Sequence, residues 1–198
     1  LPFVEQAPEM LVRRSIRNAV EQLCARGKVW TERTSPETVY PGIAEYQLTP
    51  SADTRIVQIL VLWFNDQELY PYTEADMDTF DPAWRSTSGP VPNRFVVLQP
   101  ESVRLYPEPS EKSVDALEAR VVLAPGNDQA SLPSQLTRYR DAIRFGAFKD
   151  LFFQPRRPWT DFNLARYYER EFESKMGDAN VDSTTSFGSA PARVKAYP

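Results

Sequence analysis

Glu74, Asp76, Asp78 and Asp81 crowd into one short segment that opens with Thr73. Carboxylates are the main acid–base currency open to this chain, because it contains no histidine, the commonest general base and metal ligand. One protonated and one ionised carboxyl can cleave a glycosidic bond. An acid-dependent hydrolase working from residues 74–81 is therefore one reading. The same acids suit the first turn of a short helix, where they face the positive end of the backbone dipole. No second element with readable spacing supplies a partner group. Without histidine a conventional Ser-His-Asp triad cannot form. There is neither a phosphate-cradling glycine loop nor a nucleophile elbow. Cys24 is the single cysteine, which excludes an intrachain disulfide and a multi-cysteine zinc site. It lies near the apolar stripe of a predicted helix and suits a small buried residue better than a reactive thiol.

The second chemical neighbourhood is basic and aromatic. Arg138, Arg140 and Arg144 share one predicted helix, and Arg156-Arg157 stand beside Trp159. Such guanidinium groups can grip phosphate, and a DNA-binding module using Arg138, Arg144, Arg156 and Arg157 is a third reading. They also pair with acids of their own chain or of an adjacent subunit. The formal net charge of −4 gives no global case for holding nucleic acid. Arg138, Arg144, Arg156 and Tyr168 are the candidate inter-subunit contacts.

The elements that must position these groups read as helix, sheet, helix, helix, arm. From Pro8 to Arg26, Val12, Ile16, Ala19, Val20 and Leu23 recur at helical spacing, with Gly27 placed to end the helix at positive φ. From Lys28 to about Leu123 the pattern is of short strands. Ile56 to Phe64, apolar on both faces, is expected to be the central one, with Asn65-Asp66-Gln67 a tight hairpin after it. Thr73 with Asp76 predicts a capping box. Leu136, Tyr139, Ile143, Gly146, Ala147 and Leu151 form the stripe of the next helix, in which Gly146 permits close approach. Pro155 and Pro158 end that helix. Thr160 or Asp161 caps the last one, with Trp159 stapled onto Leu164. The expected fold class is α+β: an antiparallel helical bundle (residues 1–27 and 131–176) with an inserted β-sheet domain (28–130) and an extended C-terminal arm (177–198).

That arm, Gly177 to Pro198, has Val181, Phe187, Val194 and Tyr197 as its only sizeable apolar groups. Alone it buries too little surface to offset the entropy of ordering it. Phe187, Arg193, Val194, Lys195 and Tyr197 are spaced like anchors of an extended peptide that lies on a partner. No apolar run approaches the ~20 residues of a membrane-spanning helix, and the start LPFVEQAPEM lacks the pattern of a signal peptide. Eighteen prolines against seven glycines suit a rigid structural part.

Several stretches taken together resemble the head–tail adaptor (head-to-tail connector) proteins of tailed bacteriophages. They are Ile16 to Cys24 with Trp30, Gly42 to Leu48, and Arg104 to Pro107. Arg140 to Ala147, Pro155 to Trp159, Phe162 to Tyr168 and Phe172 follow in the same order. The resemblance implies a structural protein of the virion neck, assembled in the host cytoplasm, with no catalytic residues and no cofactor. It implies a ring, usually of twelve copies, beneath the portal protein. Such a ring joins the DNA-filled capsid to a tail or nozzle protein, and double-stranded DNA passes through its lumen without sequence-specific binding. The C-terminal arm would then be the portal-binding segment, and no membrane is involved.

Overall fold

A computed structural model describes residues 7–126 and 133–184, leaving aside the side chain of Thr184. The chain divides into two compact units, Leu1–Val29 with Leu132–Pro198, and Trp30–Ser131.

The first unit is helical. α1 (Glu9–Gly27) buries Ser15, Ala19, Val20, Leu23, Cys24 and Gly27 on one side. Its end differs in detail from expectation. Gly27 is the last helical residue, and Lys28 takes the left-handed conformation at φ 51° while its N–H bonds to the Cys24 carbonyl. Gly27 is small because a Cβ there would lie 3.2 Å from Val29 and 3.6 Å from Ala179. A 3-10 turn (Ser134–Tyr139) leads into α3 (Arg140–Phe152), and α4 (Phe162–Thr184) completes the unit. Leu136, Tyr139, Ile143, Gly146, Ala147 and Leu151 of the predicted stripe are buried, and Ala142 with them. Asp161 caps α4, its Oδ1 accepting from the Asn163 and Leu164 backbone N–H groups at 2.9 and 3.0 Å. Trp159 packs with Phe148, Phe152, Ala165 and Tyr168, whereas Leu164, its expected staple partner, is exposed.

The second unit is mostly strand. β1 (Thr31–Arg33), β2 (Glu37–Val39) and β3 (Glu45–Gln47) precede the long β4 (Thr54–Phe64). β5 (Gln67–Glu68), β6 (Tyr70–Tyr72), α2 (Glu74–Phe80) and β7 (Ser88–Gly89) follow. The unit closes with β8 (Arg94–Gln99), β9 (Ser102–Tyr106), β10 (Glu108–Pro109) and β11 (Ser113–Pro125). β4 pairs antiparallel with β11 from Thr54↔Pro125 to Phe64↔Leu117, with two register shifts. β1 and β2 pair with the far edge of β11, and β5 with β4. The turn between β4 and β5 puts Asn65 at φ 48° and Asp66 at φ 62°, the two-residue geometry that matches strand twist. A second sheet runs β3-β9-β8-β6, and β10 pairs with β7. Leu62, Phe64, Leu117 and Val121 of the first sheet share a core with Tyr46, Phe95, Val103 and Leu105 of the second.

The α+β class holds, but the expected architecture of an antiparallel helical bundle, an inserted sheet and an arm from Gly177 is corrected in three ways. The described residues form four α-helices, one of which, α2, lies among the strands. The β unit is not one sheet but two larger sheets on a shared core plus a two-stranded pair. The third correction concerns helix direction and length. α3 runs against both α1 and α4, since Gly146 meets Ala19 and Phe172 while Arg138 reaches Asp182. α1 and α4 therefore run the same way, as Leu11 and Val12 beside Ala165 and Gly27 beside Ala179 require. α4 continues through Gly177 to Thr184. It does so because Met176 and Ala179 prolong its buried stripe and the Ser183 hydroxyl donates to the Gly27 carbonyl at 3.0 Å.

Gly146 and Gly177 should respond oppositely to substitution. A Cβ on Gly146 would stand 2.7 Å from the Ala19 Cβ and 3.0 Å from the Phe172 ring. Gly146→Ala is expected to lower stability by about 1–2 kcal/mol, overpacking outweighing helix propensity. Gly177 has nothing within 4 Å of that position, so Gly177→Ala should raise stability by up to ~1 kcal/mol. Urea unfolding of the two variants beside the parent checks both signs.

Candidate functional site

The carboxylates that could have done chemistry are each engaged in holding a corner together. Thr73 caps α2: its hydroxyl accepts from the Asp76 N–H at 3.1 Å, and the Asp76 carboxylate accepts from the Thr73 N–H at 3.3 Å. This is the expected capping box. Arg85 bonds Asp78 and reaches Glu74 at 3.1 Å. Asp78 also accepts the Trp84 indole N–H at 2.7 Å. Asp81 accepts from the Thr87 and Tyr106 hydroxyls, both at 3.0 Å. Beneath them Met77, Trp84, Val96 and Tyr106 form a small core. The Arg94 guanidinium lies 4.2 Å from the Phe80 ring centre and 5.3 Å from that of Tyr72.

Bond donation from Arg85, then from Trp84, holds Asp78 below the usual carboxylate range. The Thr87 hydroxyl, with the Ala83 N–H and Tyr106, does the same for Asp81. A carboxyl that must stay protonated to act as an acid needs the opposite environment. The carboxylates of the corner are thus satisfied by neighbours, and among the described residues no group of His, Cys, Asp and Glu is arranged to hold a metal. Arg85 and Trp84 were not legible as partners, because the turn from Asp81 to Thr87 brings them back and no periodicity marks it. A cleft of about 340 Å³ lies elsewhere in the β unit, lined by Glu32, Thr34, Glu37, Thr49 and Ser51 among others. Burial pushes Glu37 up there.

The predicted contact residues are not gathered into one site. Arg138 pairs with Asp182 at 3.2 Å, and Arg144 with Asp141 at 3.3 Å. Arg156 is exposed at φ 60° in the turn between α3 and α4. Tyr168 is half-buried and stacks on its own unit, its ring centre 5.8 Å from Phe152 and 4.9 Å from Phe148. Its neighbour Tyr167 points outward instead, 47% exposed. Beside it Phe153, Phe162 and Leu164 are also exposed, the two phenylalanine rings 6.3 Å apart. Arg166 and Arg170 flank Tyr167 on the open face of α4, and Arg157 stands in the preceding turn. The adjacent-tyrosine signal was visible in the sequence; which of the pair faces out depends on the direction from which Phe148 and Phe152 approach. Phe187, Arg193, Val194, Lys195 and Tyr197 lie outside the described residues.

A surface of this kind, with arginine beside exposed aromatic groups, has the composition of a contact surface. The family model of the SU10 adaptor protein matches residues 4–195, nearly the whole chain. The chain belongs to the SU10 adaptor protein family. That membership bears out the resemblance to phage head–tail adaptors. No curated protein matches the chain significantly. Among the described residues, no helix is long and apolar enough to cross a membrane.

The two lowered aspartates fix the sign of an acid effect. Their folded values lie below the unfolded value of about 3.9, so the stability they contribute is complete above it and is lost as pH falls through the folded values. Far-ultraviolet unfolding curves from pH ~5 down to ~2 should show the parent losing more stability than Asp78→Asn/Asp81→Asn, which starts lower and changes less. Parallel slopes for the two proteins would contradict the assignment.

Proposed function

We propose that this chain is a structural adaptor of a phage virion, set in the neck between head and tail, which forms a ring beneath the portal protein. A dodecamer is the expected count. The ring joins the DNA-filled capsid to a tail or nozzle protein, and double-stranded DNA passes through its lumen without sequence-specific contact. The family match over residues 4–195 carries this reading. It is supported by carboxylates that are bonded to neighbours rather than poised, and by an outward corner built of rings and guanidinium groups. Closed rings use heterologous contacts, one patch meeting a different patch of the next copy. Arg138, Arg144, Arg156 and Tyr168 remain the candidates for such contacts from the sequence. Residues Phe187 to Tyr197 are assigned to the portal-binding segment, with Phe187, Arg193, Val194, Lys195 and Tyr197 as its anchors. No observation in the geometry favours the hydrolase reading.

The test follows from the end of α4. Deleting residues 185–198 removes the proposed anchors but keeps Ser183, whose hydroxyl ties α4 to the end of α1. The truncated protein should unfold at the parent's midpoint and fail to occupy portal rings in a particle reconstitution viewed by electron microscopy. Full occupancy by the truncated protein would overturn the docking role.

A further inference from the structure

The net charge of −4 conceals a strong separation between the two units. The helical unit carries sixteen basic against eleven acidic side chains, and the β unit seven against sixteen. Part of the surplus on the helical unit lies at the α3–α4 corner, where Arg156, Arg157, Arg166 and Arg170 stand with Glu169 among them. Arg157, Arg166 and Arg170 are exposed there and make no ion pair among the described residues, around Phe162, Leu164 and Tyr167, each of these three at least 41% exposed. Exposed rings among exposed guanidinium groups suit a protein surface that is both acidic and apolar. Duplex phosphate would use the charge and leave the rings in water.

The same chain holds a surface of that chemistry. At one end of the β unit Tyr40, Ile43 and Val114 are exposed at 46%, 45% and 65%. They are brought together by the Ser113↔Val39 register and by the Gly42 N–H bonding the Pro109 carbonyl at 2.9 Å. Glu111 and Asp115 are exposed beside them, and Lys112 lies over the Tyr40 ring at 5.3 Å.

We propose that the arginine–aromatic corner of α3–α4 docks onto the acidic, apolar end of the β unit of a second copy of this chain. Two unlike patches on one chain make a head-to-tail contact, which propagates to the next copy instead of stopping at a pair. The proposal deepens the ring reading above and rests on it for its purpose, but its test needs neither portal nor particle. Charge complementarity steers the encounter and fixes which patch meets which, and the rings supply the contact that excludes water.

Sedimentation velocity of the purified full chain, with rising protein concentration at low salt, reads the contact. The parent should associate at ~0.02 M salt and weaken about tenfold or more at ~0.5 M, where screening shortens to a few ångströms. Arg166→Glu/Arg170→Glu and Glu111→Lys/Asp115→Lys should each remain monomeric, with circular dichroism showing both folded. Lysine at the positive φ of Asp115 is tolerable, as Lys28 already shows at φ 51°, and Glu111→Lys alone serves if the double variant unfolds. Mixed in equal amounts, the two charge-reversed proteins should associate again, because each now supplies the sign that the other lacks. A parent that stays monomeric at low salt, variants that associate like it, or a mixture that stays monomeric would overturn the proposal. So would a parent that stays monomeric yet binds duplex through Arg166 and Arg170, a result that would assign the corner to nucleic acid. Failure here alongside normal portal occupancy would leave the adaptor reading standing and remove only this pairing of surfaces.

Discussion

Gly146 is the point on which the helical unit closes. With no side chain there, Ala19 of α1 and the Phe172 ring of α4 come into contact with the same turn of α3. Three helices that share one close approach have little freedom left in register. Phe148 and Phe152, two and six residues further along α3, are then delivered to the level of Tyr168 and Ala165. The stack of Phe152 on Tyr168, with their planes 9° apart, is a consequence of that register. So is the outward turn of Tyr167, since consecutive helical residues stand about 100° apart. The exposed corner is thereby placed by a buried glycine some distance away.

The β unit answers to a different constraint. β4 and β11 are long and paired through most of their length, and an antiparallel pair of that kind needs at least one face covered. One face closes on the second sheet, whose Phe95, Val103 and Leu105 fill the gap. That second sheet has a back of its own, where Val96 and Tyr106 would be bare without α2. The capping box at Thr73 and the bonds of Arg85 to Asp78 and Glu74 hold the short helix there. Ion pairs on an open surface contribute little to stability. Their value at this corner lies in geometry: they orient a helix of only seven residues, too short to hold itself.

These two constraints explain what could be read from the sequence and what could not. Elements governed by their own periodicity were legible. The α1 stripe, the run of β4, the Asn65-Asp66 turn, the Thr73 capping box and the close approach at Gly146 all announce themselves within a few residues. The end of α4 was not legible, because the helix is prolonged through Gly177 by tertiary contacts of Ala179 and Ser183 with α1, and small residues carry no visible stripe. The grouping of the strands into separate sheets was also hidden. It depends on pairings such as β3 with β9 and β1 with β11, which join positions far apart in the chain. At the candidate site the acids could be seen but their partners could not, for Arg85 and Tyr106 reach them across a turn and a strand. A cluster of carboxylates in sequence thus stood for catalysis or for structure, and only the placement of those donors separates the two.

Net charge was the most misleading single number in the sequence. A total of −4 suggests a mildly acidic body that repels polyanions evenly. Divided at the unit boundary, the same residues make one basic part and one strongly acidic part. Fields from exposed charges fade within ~10 Å at moderate salt, so a neighbour senses the local surplus and not the sum. A chain with that polarity has an electrostatic reason to meet its own kind head to tail and a reason not to meet it like to like. Where a sterically rigid part must join others in a fixed order, segregated charge supplies direction and apolar contact supplies hold. Neither requires a reactive group, which is consistent with carboxylates here that are tied down by arginine, tryptophan and hydroxyl donors.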